Sequence, residues 1–140
     1  MAVERTLFII KPDATAKHIV GKILAHVEGK GFSLVEARYT RLTADQCQEF
    51  YAEHVGKPFF PSLVEFMTSG PVLLCCLERD NAVAALREVI GATDPAQAAE
   101  GTIRKLYAES KGRNSVHASD SVASAQREVR LFFGATALAH

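Results

Sequence analysis

Val72-Leu73-Leu74-Cys75-Cys76-Leu77 is a continuous apolar run that follows Gly70-Pro71, and it predicts the third strand of the chain. Towards the N-terminus, residues 7–10 form a second apolar run, which predicts a buried strand. Residues 33–42 alternate between apolar and polar side chains, which is typical of a half-buried strand. Towards the C-terminus, residues 115–117 predict a short fourth strand.

Apolar residues recur at helical spacing in the segments between these strands. Thr43 and Gln46 predict a capping box, and Asp80 is predicted to cap the helix that Gly91 ends. Residues 60–68 predict a shorter helix, whereas residues 92–113 have no usable periodicity and predict a long loop with one helical turn. The predicted apolar faces of the three main helices are Val20, Ile23, Leu24 and Val27; Val83, Leu86 and Ile90; and Val122, Ala125, Val129 and Phe132.

The order of elements is strand, helix, strand, helices, strand, helix, strand, helix. Two strand-helix-strand halves predict an α+β domain of the ferredoxin-like kind, an α/β sandwich whose four-stranded, mainly antiparallel sheet is covered by helices. We expect one domain over residues 1–140. A doubly wound parallel sheet is the alternative, but four strands and the lack of a glycine-rich first turn disfavour it.

Composition limits the classes of function. The chain has 140 residues, 48% of them hydrophobic, and 16 cations against 16 anions, so its formal net charge is +0. Neutrality disfavours a nucleic-acid partner but leaves one small anion open. The apolar runs are shorter than the roughly 18 residues of a membrane span, and no secretory signal is visible. Three cysteines without metal-ligand spacing agree with a cytoplasmic protein that has neither disulfides nor a protein-bound metal.

Two common phosphate-binding motifs are not satisfied. A P-loop would need a glycine where Ala16 stands and a Ser or Thr where Ile23 follows Gly21-Lys22. A dinucleotide fingerprint would need a glycine in place of Leu34. If the chain handles nucleotides, it does so with other groups.

His117 is the candidate reactive residue, since it lies at the end of a short strand before the polar caps of a helix. A nucleophilic histidine needs an unprotonated nitrogen, a fixed ring and positive potential for the incoming anion. Ser119, Asp120 and Glu128 could fix the ring, and loop arginines and backbone donors could supply the potential. A structural histidine hydrogen-bonded to a cap is the alternative that spacing alone leaves open.

The segment from Asn114 to Asp120 also matches Asn-x-x-His-(Gly or Ala)-Ser-Asp, and therefore resembles the active-site signature of the nucleoside diphosphate kinases. Ala118 is the less common of the two residues that the signature allows after the histidine. Similarity to this family spans nearly the whole chain. The other matching segments are residues 4–7, 10–14, 50–54, 57–60, 66–72, 91–95 and 101–104, and residues 134–140 resemble the short C-terminus of bacterial members.

This resemblance implies a ping-pong phosphotransferase. His117 would take the γ-phosphoryl of a nucleoside triphosphate, typically ATP, and pass it to a nucleoside diphosphate, with broad tolerance of the base. Mg²⁺ would arrive on the nucleotide phosphates, and the chain would form a homo-oligomer, a tetramer or a hexamer built from dimers. The implied nucleotide contacts are Arg87, Thr93 and Arg104 on the phosphates, Lys11 and Asn114 on the sugar hydroxyls, Phe59 on the base, and Tyr51 beside the histidine.

Taken singly, each of these residues has a plainer interpretation. Arg87 could be a solvated helix residue, Arg104 a loop cation and Lys11 the end of a strand, and the aromatics could belong to the core. The joint match favours the functional interpretation. Two segments depart from the family pattern, since Glu100 replaces a common proline and Lys105-Leu106-Tyr107 replaces a common Gly-Asp-Phe.

Overall fold

The computed structural model describes residues 3–134. The C-terminal segment that resembles bacterial members is residues 134–140. All of it except Gly134 lies outside the described residues. The strands are β1 (Val3–Ile10), β2 (Ser33–Thr40), β3 (Val72–Asp80) and β4 (Val116–Ala118). The helices are α1 (Pro12–Ala16), α2 (Val20–Gly29), α3 (Ala44–Phe50), α4 (Phe60–Met67), α5 (Ala82–Ile90), α6 (Ile103–Tyr107) and α7 (Val122–Phe133).

The four strands form one sheet in the order β2-β3-β1-β4, and every neighbouring pair is antiparallel. The predicted ferredoxin-like α+β fold is therefore confirmed, and the parallel alternative is wrong. Within this sheet Ile9 of β1 lies opposite His117 of β4. The short β4 thus brings the candidate reactive residue next to the buried C-terminal end of β1.

Both faces of the sheet carry a core, because the two central strands are apolar at consecutive positions. One face packs against α2, α5 and α6, and the other packs against α3, α4 and α7. Cys75 belongs to the first core and Cys76 to the second, as expected for neighbours on a strand. Both thiols are free and fully buried, and burial raises the pKa of Cys75 to about 12 and that of Cys76 to about 11.

The helix signals in the sequence were mostly correct. The capping box is present, since Gln46 N donates to Thr43 Oγ1 and Thr43 N donates to Gln46 Oε1. The long loop contains a single-turn 3-10 segment (Pro95–Gln97) and α6, whose first turn is capped by Thr102. Asp80 is the last residue of β3 and not a helix cap, because Asn81 occupies that position with a left-handed φ of 54°.

Two other expectations need correction. Strand β2 is not half-buried but almost wholly exposed, with Leu34, Val35 and Tyr39 facing solvent. Within residues 3–134 this edge strand pairs only with β3, and none of its residues belongs to either packed core. Helix α1 was not predicted, because Pro12 was interpreted only as the end of β1. In the structure Pro12 lies in the first turn of α1, where proline is tolerated.

The lengths and hydropathies of the helices show whether any of them could span a membrane. None of the helices within residues 3–134 combines the length and the apolar character needed to cross a bilayer.

Candidate active site

His117 is held by two polar residues on its own side of the sheet. Its Nε2 lies 3.1 Å from Oε1 of Glu128, a buried residue of α7. The same carboxylate oxygen accepts a hydrogen bond of 2.7 Å from Oγ of Ser119, which is itself fully buried. Ser119 and Glu128 therefore form one hydrogen-bonded unit with the imidazole.

This arrangement fixes the tautomer of His117. A carboxylate can only accept, so Nε2 carries the proton and Nδ1 keeps a free lone pair. Burial lowers the pKa of His117, and the nearby cations Lys11 and Arg104 lower it further against the opposing effect of Glu128. The ring is consequently neutral near physiological pH, which is the state that a nitrogen nucleophile requires.

An aromatic wall from the end of α3 faces the imidazole. The Phe50 ring meets the His117 ring edge to face, with centroids 5.0 Å apart, and Tyr51 packs on Phe50 at 4.5 Å. Arg127 of α7 holds this wall in place by donating to the backbone oxygens of Glu49 and Phe50 at 3.1 and 2.8 Å. Sequence reasoning missed Phe50 and Arg127, although Phe50 begins one of the segments that resemble the family.

Lys11 and Asn114 lie side by side next to the histidine. Lys11 Nζ donates to Asn114 Oδ1 at 2.9 Å, and the Asn114 amide reaches the Thr93 carbonyl at 3.5 Å. Burial, reinforced by the positive charge of Arg104, lowers the pKa of Lys11 to about 8, although Asp13 acts in the opposite direction. A buried ammonium close to another cation has an unfavourable electrostatic energy, and a bound anion would lower that energy.

Two guanidinium groups complete the positive side of the site. Arg104 is only 5% exposed, and it donates to the carbonyls of Gly91 at 3.2 Å and Val116 at 2.8 Å. Its Nε is buried without a hydrogen-bond partner within residues 3–134. Burial and the charge of Arg87 lower the pKa of Arg104 to about 10. Arg87 donates to the Ala118 carbonyl at 3.3 Å, directly beside His117.

These groups surround a cleft of about 460 Å³. Ser119 does not line the cleft and contacts it only through its bond to Glu128. Asp120 is exposed and lines the cleft, and a hydrogen bond with Ser124 lowers the pKa of its carboxyl group. Phe59 does not line the cleft but lies outside it, half-exposed, with its ring 5.2 Å from that of His54. The predicted site residues that line the cleft are Lys11, Tyr51, Arg87, Thr93, Arg104, Asn114, His117, Asp120 and Glu128.

Comparison with known proteins agrees with this chemistry. The family described as nucleoside diphosphate kinase matches residues 4–138. A nucleoside diphosphate kinase from Aquifex aeolicus is 44% identical, with 98% of this chain and 99% of that chain covered and a TM-score of 0.93.

Two further solved structures are similar over nearly the same extent. The nucleoside diphosphate kinase from Encephalitozoon cuniculi is 36% identical, covers 96% of this chain and 91% of its own, and has a TM-score of 0.92. The enzyme from Halobacterium salinarum, in complex with CDP, is 39% identical, covers 99% and 93%, and has a TM-score of 0.93. The chain therefore belongs to the nucleoside diphosphate kinase family, whose members are phosphotransferases.

Proposed function

We propose that the chain transfers the γ-phosphoryl group of a nucleoside triphosphate, typically ATP, to a nucleoside diphosphate through a phosphohistidine at His117. The observation that carries this proposal is the bond between Nε2 of His117 and Glu128, which leaves Nδ1 as the free nucleophile inside a cationic cleft. The main alternative for a ferredoxin-like fold is a non-catalytic regulatory module that binds a nucleotide or an amino acid as a sensor. Such a module would need no nucleophile and therefore no histidine held in this way.

The reaction follows from the protonation state of the ring. The Nδ1 lone pair attacks the γ-phosphorus, the bond from that phosphorus to the β,γ-bridging oxygen breaks, and its electron pair leaves on the nucleoside diphosphate. The imidazole becomes positive as the new P–N bond forms, and the Glu128 carboxylate on Nε2 stabilises that charge. A second nucleoside diphosphate then takes the phosphoryl group by the reverse path, which makes the mechanism ping-pong.

We assign the remaining contacts on the basis of charge and position. Arg87, Thr93 and Arg104 would hold the phosphates, since they line the same cleft as the histidine and the two arginines bond to the carbonyls on either side of it. Lys11 and Asn114 would bind the sugar hydroxyls as a pair, because their side chains are already joined.

The two aromatic assignments concern Phe59 and Tyr51. Phe59 would stack on the base from outside the cleft, and stacking accepts every base because every base has a π face. Tyr51 would approach the reacting phosphoryl group, and burial raises the pKa of its hydroxyl, which therefore stays protonated and able to donate.

Mg²⁺ is proposed to enter as part of the substrate, on the nucleotide phosphates. The cleft fits this role better than that of a metal cage, since the Glu128 carboxylate is already occupied by His117 and Ser119. Within residues 3–134, no three His, Cys, Asp or Glu side chains are grouped so that they could bind a metal ion.

We further propose that the chain acts as a cytoplasmic homo-oligomer, a tetramer or a hexamer of dimers. Support comes from edge strand β2, which exposes Leu34, Val35 and Tyr39 and whose outer edge pairs with no other strand within residues 3–134. Light scattering should give a multiple of the 15.2 kDa chain mass, and Leu34→Glu should reduce it. A monomeric wild-type mass would refute this part of the proposal.

The nucleophile is tested by labelling. The wild-type protein is incubated with γ-labelled ATP and Mg²⁺, and we expect an acid-labile, base-stable protein phosphate that disappears when GDP is added. His117→Ala should carry none of this label. Label retained by that variant would refute the assignment of His117, and an unlabelled wild-type protein would refute the phosphohistidine mechanism.

A further inference from the structure

The residue two positions before His117 has an unusual backbone. Ser115 has a φ of 73°, in the left-handed region that serine rarely adopts. Val116 N donates to Asn114 O at 2.9 Å, so these three residues form a γ-turn with a positive central φ. Turns of this kind are rare and strained, and they persist only where the surrounding structure holds them.

Both backbone groups of Ser115 are held by the segment that follows β1. Ser115 N donates to Asp13 Oδ2 at 2.9 Å, and Ser115 O accepts from Lys11 N at 2.9 Å. Asp13 is 4% exposed and Ser115 is fully buried, so water does not compete for these bonds. The Ser115 hydroxyl contributes nothing to them, since Oγ is buried without a hydrogen-bond partner in the described part of the chain.

The turn separates two halves of the site. Asn114, which is bonded to Lys11, stands on one side, and His117 follows on the other. If Ser115 relaxed to a negative φ, the chain would change direction between them, and the sugar-binding pair would move relative to the nucleophile. Phosphoryl transfer depends on in-line placement, so a change of about 1 Å matters.

We propose that Asp13 is a positioning residue for phosphoryl transfer, and that its carboxylate holds the strained turn at Ser115 which sets the distance from Lys11 and Asn114 to His117. The proposal rests on the function proposed above. Asp13 does not line the cleft around His117, so it does not touch the substrate; besides its charge effect on Lys11, it acts through its bond to Ser115, and only that second effect can be rescued at Ser115.

The test measures phosphoenzyme formation at saturating γ-labelled ATP. Asp13→Asn keeps the side-chain shape but replaces a charge-assisted bond with a weaker neutral one. We expect the rate constant for labelling to fall about tenfold in the folded variant. Adding Ser115→Gly to Asp13→Asn should restore most of the rate, because glycine adopts a positive φ without strain and needs less support.

Thr15→Ala is the matched control on the same helix. Thr15 Oγ1 donates to Pro71 O at 2.7 Å, away from the turn, so this variant should lose stability but keep its labelling rate. The proposal is overturned if folded Asp13→Asn labels like the wild type, if Thr15→Ala is as slow, or if the double variant is no faster than Asp13→Asn. Should Asp13→Asn not fold, the double variant must recover both folding and labelling, and its failure to do so also overturns the proposal. An unlabelled wild-type protein would instead be a failure of the proposed function.

Discussion

The bond between His117 and Glu128 is most directly tested by Glu128→Gln. This substitution keeps the size of the side chain and an acceptor oxygen, but it removes the negative charge that both His117 and Ser119 contact. A hydrogen bond to a charged group contributes roughly 1.5–3 kcal/mol, and a neutral one roughly 0.5–1.5 kcal/mol. If about 1.4 kcal/mol is lost as the imidazole becomes positive, phosphoenzyme formation slows about tenfold.

The same variant should change the pH profile in a defined direction. The Glu128 charge and hydrogen bond raise the pKa of His117, so their loss lowers that pKa further. Labelling requires the neutral ring, so its rate falls when the pH drops through the pKa of His117. In Glu128→Gln the acidic limb should therefore move to lower pH, while the plateau at higher pH is lower than in the wild type.

Rapid-quench measurement of labelling across pH provides both quantities. Glu88→Gln makes the same chemical change on an exposed residue of α5 and should leave the plateau and the limb unchanged. A Glu128→Gln plateau equal to the wild-type value, or an acidic limb displaced to higher pH, would refute the argument that Glu128 stabilises the positive ring.

Three other predictions concern stability, stacking and charge. Gly91 has a φ of 89°, and a Cβ there would lie 2.6 Å from Thr102 Oγ1. Gly91→Ala should therefore lower the Tm measured by thermal unfolding by about 10 °C. Gly56 has a similar φ of 90° but open space around it, so Gly56→Ala should lower the Tm less. Phe59→Ala should weaken nucleotide binding by about 1–3 kcal/mol whichever base is present; calorimetry that found one base selectively affected would contradict stacking. Nucleotide affinity should fall as the pH rises through about 8, where Lys11 loses its proton, and titrations showing a flat or rising affinity there would exclude a role for the Lys11 charge in binding.

Much of the fold was predictable because its signals are local. The apolar runs of β1 and β3 identify buried strands wherever they end up, and the Thr43–Gln46 capping box is complete within four residues. Strand β2 was predicted to be half-buried because apolar and polar side chains alternate along its sequence. Its exposure follows from its place outside both packed cores, which depends on the arrangement of the whole sheet and which no local pattern encodes.

The site was less predictable, because its geometry comes from contacts distant in sequence. Spacing around His117 suggested the polar partners Ser119 and Glu128, which one strand and one helix bring together. The positions of the other groups depended on resemblance to a family. Arg104 illustrates the limit, since in sequence it is a loop cation, and only the fold buries it against two carbonyls beside the histidine. Asp13 shows it again, since its contact with Ser115 spans 102 positions.

The charge balance of the chain acquires a physical meaning from this arrangement. Sixteen cations and sixteen anions cancel overall, but Lys11, Arg87 and Arg104 converge beside His117, and the nearby carboxylate of Glu128 is committed to the ring. Burial and mutual repulsion lower the pKa values of Lys11 and Arg104, which means that gathering these cations in the cleft costs free energy. Under the proposed function, a bound polyphosphate would remove that cost, because its negative charge favours the protonated forms of Lys11 and Arg104. Under the proposed function, selectivity for a small polyanion would come from three placed cations in a chain whose formal net charge is +0.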